Sequence, residues 1–189
     1  MVLIDDLPPI EGEDVNLKTP QQIARRILIF SYLNCVALDS SLREEVVMFL
    51  IREKLWDDVS VQETALFHKP KLSEQEVAQI QWRAESIWVM LWAINKVETL
   101  GLPSDEVHPQ AIFPLLPRFF ETTSEFIDSA TARARAEILD ESDFMFRLNW
   151  GLREAHNRDK TIPGIDEFVA YERYVSLNWI TGVVDQWQD

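Results

Sequence analysis

The sequence predicts an all-α, single-domain bundle of about five to seven helices, and three observations carry that reading. Apolar residues recur at helical spacing through most of the chain. Thr19-Pro20 and Ser73-Glu-Gln-Glu76 are helix starts, an N-cap with proline at the first helical position and a capping box. Strand signals are nearly absent: there is no alternating apolar–polar run and no Asn-Gly or Asp-Gly hairpin turn.

The elements follow in order. Before Lys18 lie five acids and no base, with Pro8 and Pro9 among them, which predicts an acidic N-terminal arm over 1–18 and a helical domain over 19–189. Ile23, Ile27, Phe30 and Asn34 keep helical spacing, so the first helix reaches about Ala37. A second runs from Ser41 to Leu55, with Val46, Phe49 and Leu50 on its buried side, and a short third spans Ser60 to Phe67. The capping box then opens a helix over about 74–99. From Ile80 it is apolar nearly all round, as a central helix packed on several sides must be. Gly101-Leu-Pro103 stops it, and residues 101–117 hold four of the nine prolines, which predicts an irregular connection. A long helix starts near Ser124 or Ser129 and persists to about His156. After a loop around Pro163-Gly164, the last helix covers about Ile165 to Gly182.

Composition limits function. The chain has 189 residues, 47% of them apolar, and seven Trp, enough for one well-filled core. A formal charge of -14 disfavours nucleic acid and anionic membrane surfaces and leaves basic protein partners. Cys35 is the single cysteine and lies in the apolar run Ile27 to Leu38, which reads as a packed thiol in a reducing compartment. That run is too short for a bilayer span, and the start of the chain is acidic where a secretory signal is basic. A soluble, cytoplasmic protein is expected.

Three segments place charge among bulky apolar neighbours: Trp82–Trp92, Ala134–Trp150 and Tyr171–Trp179. Glu85 shares a helix face with Trp82, Val89 and Trp92, and Glu172 with Phe168, Val175 and Trp179. Arg173 shares one with Val169, Leu177 and Ile180. Buried without a partner, each charge would cost several kcal/mol. Pairing is therefore predicted, with Arg83, Arg147 and Arg173 as partners, because a guanidinium meets a carboxylate at two points. One reading is an ion-pair network that fixes helix register. The other is a polar pocket for a small ligand, with Trp150, Asn178 and Trp179 supplying hydrogen bonds and an aromatic wall.

Trp82-Arg-Ala-Glu85, Glu137-Ile-Leu-Asp140 leading through Asp143 and Arg147 to Trp150, and Glu172-Arg173 followed by Leu177-Asn-Trp179 occur in this order. In this the chain resembles a bacterial family known as domain of unknown function 4272. The resemblance implies a mostly helical fold and no stated activity. Two departures stand out: Tyr174 replaces a histidine common after the Glu-Arg pair, and the end reads Trp187-Gln-Asp189 where Trp-Asp and a further Asp-Thr are usual.

Glu137, Asp140 and Asp143 are candidate Mg²⁺ ligands of a metal-dependent hydrolase of a phosphorylated small molecule. With Arg133 and Arg147 on the same stripe, they equally read as a salt-bridged solvent face. His68, His108 and His156 fall in loops or at a helix end. There is no His-Glu-x-x-His, Cys-x-x-Cys, Gly-x-Ser-x-Gly or glycine-rich phosphate loop. No cofactor is expected. The leading expectation is a non-enzymatic acidic binding module for a basic protein partner such as a toxin or regulator. The hydrolase and a small anionic-ligand domain anchored by Arg147 and Arg173 stand as alternatives.

Overall fold

A computed structural model describes residues 15–185 and Trp187. Most of the acidic arm lies outside these residues, as does Asp189. The described chain holds eight α-helices and, among the described residues, no strand. They are α1 (Pro20–Leu38), α2 (Arg43–Arg52), α3 (Val61–His68), α4 (Glu74–Ala93), α5 (Pro109–Ile112), α6 (Ser124–Asp128), α7 (Arg135–His156) and α8 (Glu167–Ile180). The sequence anticipated the long ones; α5 and α6, about one turn each, bring the total above seven.

Local chemistry sets the helix starts. The Thr19, Ser60 and Ser73 side chains each accept from the backbone of the third helical residue, whose own side chain accepts from the cap in return. Asp166 caps α8 by accepting from the amides of Phe168 and Val169. α4 packs against α1 on one side and α8 on the other, and α7 covers α8. α1 is as deeply enclosed as α4: Ile23, Ala24, Ile27, Ile29, Phe30, Leu33 and Val36 are all buried. The bundle thus has two central helices where one was expected. α7 is amphipathic and buries only Ile138, Ser142, Met145 and Leu152.

Two helix ends differ from the sequence reading, and one residue explains both. α4 stops at Ala93 instead of near Thr99, and the stretch read as one helix to His156 is broken between α6 and α7. Arg133 lies in that break. Its backbone N–H donates to Ala93 O (2.9 Å), its Nε to Trp92 O (2.9 Å), and its Nη2 to Val97 O (2.8 Å) and Glu98 O (3.3 Å). The guanidinium also lies 4.8 Å from the Trp92 ring centroid. Carbonyls left over at the end of α4 therefore find a donor from outside the helix. Arg133 precedes α7, and its guanidinium still reaches the first turn of that helix at Glu137.

The described ends of the domain close on each other. Lys18 N–H donates to Ile180 O at 2.8 Å, and Gly182 takes the left-handed region (φ 72°) where the chain passes Asn16. Trp187 is buried edge-on against Phe30, with ring centroids 4.7 Å apart.

Candidate functional site

The structure sorts the charged candidates into separate groups. Glu85 and Arg173 form a buried pair, with Arg173 Nε 3.2 Å from Glu85 Oε2. The other Glu85 oxygen accepts from the Val107 amide. Arg173 Nη1 donates to Leu100 O (3.3 Å) and Gly101 O (3.0 Å). One ion pair thus joins α4, α8 and the connection between α4 and α5. Burial pushes the Glu85 carboxyl above its ordinary value, and the neighbouring Glu106 charge adds to the rise. The Val107 amide and Arg173 oppose it. Glu172 accepts from Ser86 Oγ at 3.2 Å, a second tie between α8 and α4.

Arg83 belongs to a different cluster. Its Nη1 lies 3.4 Å from Glu63 Oε1, and Glu63 is fully buried. Arg26 Nη1 meets both Glu63 oxygens at 2.8 Å, Arg26 Nη2 donates to Asp58 O at 2.7 Å, and the Ser60 amide donates to Glu63 Oε2 at 2.7 Å. Phe30 and Trp179 wall this cluster: the Arg83 guanidinium is 4.8 Å from the Phe30 ring, and that of Arg26 is 5.7 Å from Trp179. Neither Glu63 nor Arg26 was singled out from the sequence. Ser60-Val-Gln-Glu63 repeats the capping-box spacing of Ser73 to Glu76, and that was the available signal. Nothing local marks Arg26 as buried.

The remaining candidates sit on α7 and α8. Arg147 bonds Asp143 at 2.7 Å, one turn away on α7, and Trp150 is half-buried on the same helix. Asn178 is half-buried, and its backbone carbonyl accepts from Val183 and Val184 where α8 ends. Glu137 pairs with Arg133 at 2.8 Å, and Glu137 and Asp140 are exposed. Among the described residues no three His, Cys, Asp or Glu side chains are grouped to hold a metal.

A cleft of about 520 Å³ lies between α1, α4 and the segment 106–119. Its walls are mainly apolar, with Leu38, Ile87, Ile112, Phe113 and Leu116 among them. Among the described residues three carboxylates line it, those of Asp39, Glu85 and Glu106, and no Lys or Arg does. Of the eight polar-core candidates only Glu85 reaches it. Cys35 also lines it, half-buried, its thiol pushed upward by burial with Asp39 and Glu45 adding to the effect. That is the chemistry of a packed thiol and not of a nucleophile. Nothing in the sequence marks the cleft, because its outer wall is the proline-interrupted connection, which has no period to read.

The family model described as "Domain of unknown function (DUF4272)" matches residues 2–189. The chain belongs to the DUF4272 family. The Trp82, Glu137 and Glu172 segments that suggested DUF4272 fall on α4, α7 and α8, and two of them supply the buried Glu85–Arg173 pair. No curated protein and no solved structure matches this DUF4272 chain. No helix among the described residues is long and apolar enough to cross a membrane.

Proposed function

We propose that this chain is a non-enzymatic binding module whose cleft receives an apolar, positively charged segment of a protein partner. The observation that carries the reading is the cleft's lining: apolar walls, three carboxylates and no cation. Apolar walls supply affinity through burial, and the unbalanced acids select the sign of the partner's charge. A net charge of -14 favours encounter with basic partners over the same surface. Exposed Leu38 and Phe113 at the mouth extend the apolar contact outward.

The alternatives draw less from the geometry. Arg173 is engaged by Glu85 and two backbone carbonyls, and Arg147 by Asp143, so an anionic ligand would have to displace those partners. A hydrolytic metal at Glu137, Asp140 and Asp143 would need three side chains that converge, and two of these are exposed while the third faces Arg147.

The test uses a fluorescent amphipathic peptide of leucine and lysine, about 14 residues or roughly 21 Å long as a helix. Its counterpart carries glutamate in place of lysine. Fluorescence anisotropy should show saturable binding of the basic peptide alone. Ala84→Trp, which fills the cleft from α4, should weaken that binding at least about tenfold. Equal binding by the filled variant would remove the cleft from the account.

A further inference from the structure

Glu85 and Glu106 stand at the cleft wall within each other's electrostatic reach, and one cation, Arg173, lies behind Glu85. Glu141 draws on the Arg173 charge as well, so this one guanidinium does not balance the carboxylates around it. Glu106 is exposed and makes no hydrogen bond or ion pair among the described residues. Asp39, the third acid of the lining, is already occupied as a cap, accepting from the Ser41 amide (2.9 Å) and hydroxyl (2.6 Å).

We infer that the segment received by the cleft plants a lysine between Glu85 and Glu106, and that Glu106 is the residue that selects it. The inference rests on the binding reading above and specifies its chemistry. Lysine fits better than arginine for a geometric reason. Each Glu85 oxygen already holds one donor, the Val107 amide on Oε1 and Arg173 Nε on Oε2. A planar guanidinium fork asks for both oxygens of one carboxylate together, whereas an ammonium turns its three donors freely and bridges two partly occupied acids. The lysine stem lies along apolar walls such as Ile87 and Ile112, which suits a long alkyl chain with one charged tip. The ammonium offsets negative charge that Arg173 alone leaves uncompensated.

The experiment uses the full chain and an apolar helical peptide bearing one central lysine, made also with norleucine, arginine or glutamate at that position. Isothermal calorimetry should show the lysine peptide binding about tenfold tighter than the norleucine peptide, a difference of about 1.4 kcal/mol. Glu106→Gln should close most of that gap. Asp140→Asn, which removes an equal charge from α7, should leave the gap intact. Equal affinity for lysine and norleucine peptides in the unmodified protein overturns the inference. So does a gap that survives Glu106→Gln, or an arginine peptide that binds tighter than the lysine one. Binding of the norleucine peptide that Ala84→Trp abolishes shows that the cleft reading stands even when the lysine inference falls. No binding of any peptide overturns both.

Discussion

Arg173 and Glu85 meet at 3.2 Å with both side chains all but sealed from solvent, and each also holds the connection that walls the cleft. Breaking one partner therefore strands the other. Arg173→Leu should destabilise the domain by about 3–5 kcal/mol, because it leaves a buried carboxylate without its cation. Replacing both with leucine should cost less than the sum of the two single changes. Urea unfolding of the four proteins measures this. A purely additive double variant would show that the pair is not a coupled unit.

Arg133 fixes the end of α4 and the break before α7 together. Arg133→Ala removes three side-chain hydrogen bonds to backbone carbonyls and the contact with Trp92, and should cost about 2–3 kcal/mol. Hydrogen exchange should then accelerate first at residues 93–100, before α1 or α8 respond. Uniform acceleration across all helices would assign Arg133 no local role.

Two glycines should answer alanine with opposite signs. At Gly182 the backbone is left-handed and an added Cβ would lie 2.6 Å from the Asn16 carbonyl oxygen, so Gly182→Ala should cost about 2 kcal/mol or more. Gly151 lies inside α7 with no atom within 4 Å of such a Cβ, and Gly151→Ala should stabilise by about 0.5–1 kcal/mol. Thermal melts of both variants decide it.

Acid acts on two glutamates in opposite directions. Glu53 accepts from the Thr123 amide (2.9 Å) and hydroxyl (3.0 Å), and the amide chiefly holds its carboxyl below the ordinary value of about 4.3. Its stabilisation is present above that value and is lost as pH falls through its lower folded pKa. Burial raises Glu85, so the folded state holds that proton more tightly than the unfolded chain does. Ionising Glu85 therefore lowers stability as pH climbs from the ordinary glutamate value through the raised one. Glu53→Gln should flatten the acid limb of a stability–pH curve, and Glu85→Gln should flatten the decline above it. The same change in slope from both variants would contradict these assignments.

The fold was legible where the signal is local. Thr19-Pro20 and Ser73 to Glu76 fixed two helix starts to the residue, because capping depends on side chains within one turn. The Glu85–Arg173 pair was within reach too, since each helix face could be drawn separately and charges in apolar company need partners. The early end of α4 was not, because the donor that permits it comes from Arg133, some forty residues further along the chain. The particular partner of Arg83 was not legible for a related reason: periodicity shows which face a residue occupies and says nothing about the helix opposite. Glu63, its partner, sits in a helix too short for a face to be read.

The seam between Lys18 and the turn after α8 has a consequence for how the protein is made. Lys18 Nζ donates to the Asp185 carbonyl across 167 positions of sequence, and Trp187 closes over Phe30. While the chain is being synthesised, α1 leaves the ribosome before Trp187, the residue that closes over Phe30. Until Trp187 follows, the nascent protein carries a sticky helix, and a chaperone that shields α1 would protect it better than one that engages α8. Its rate of folding should follow the closure of this long loop and not the formation of its helices.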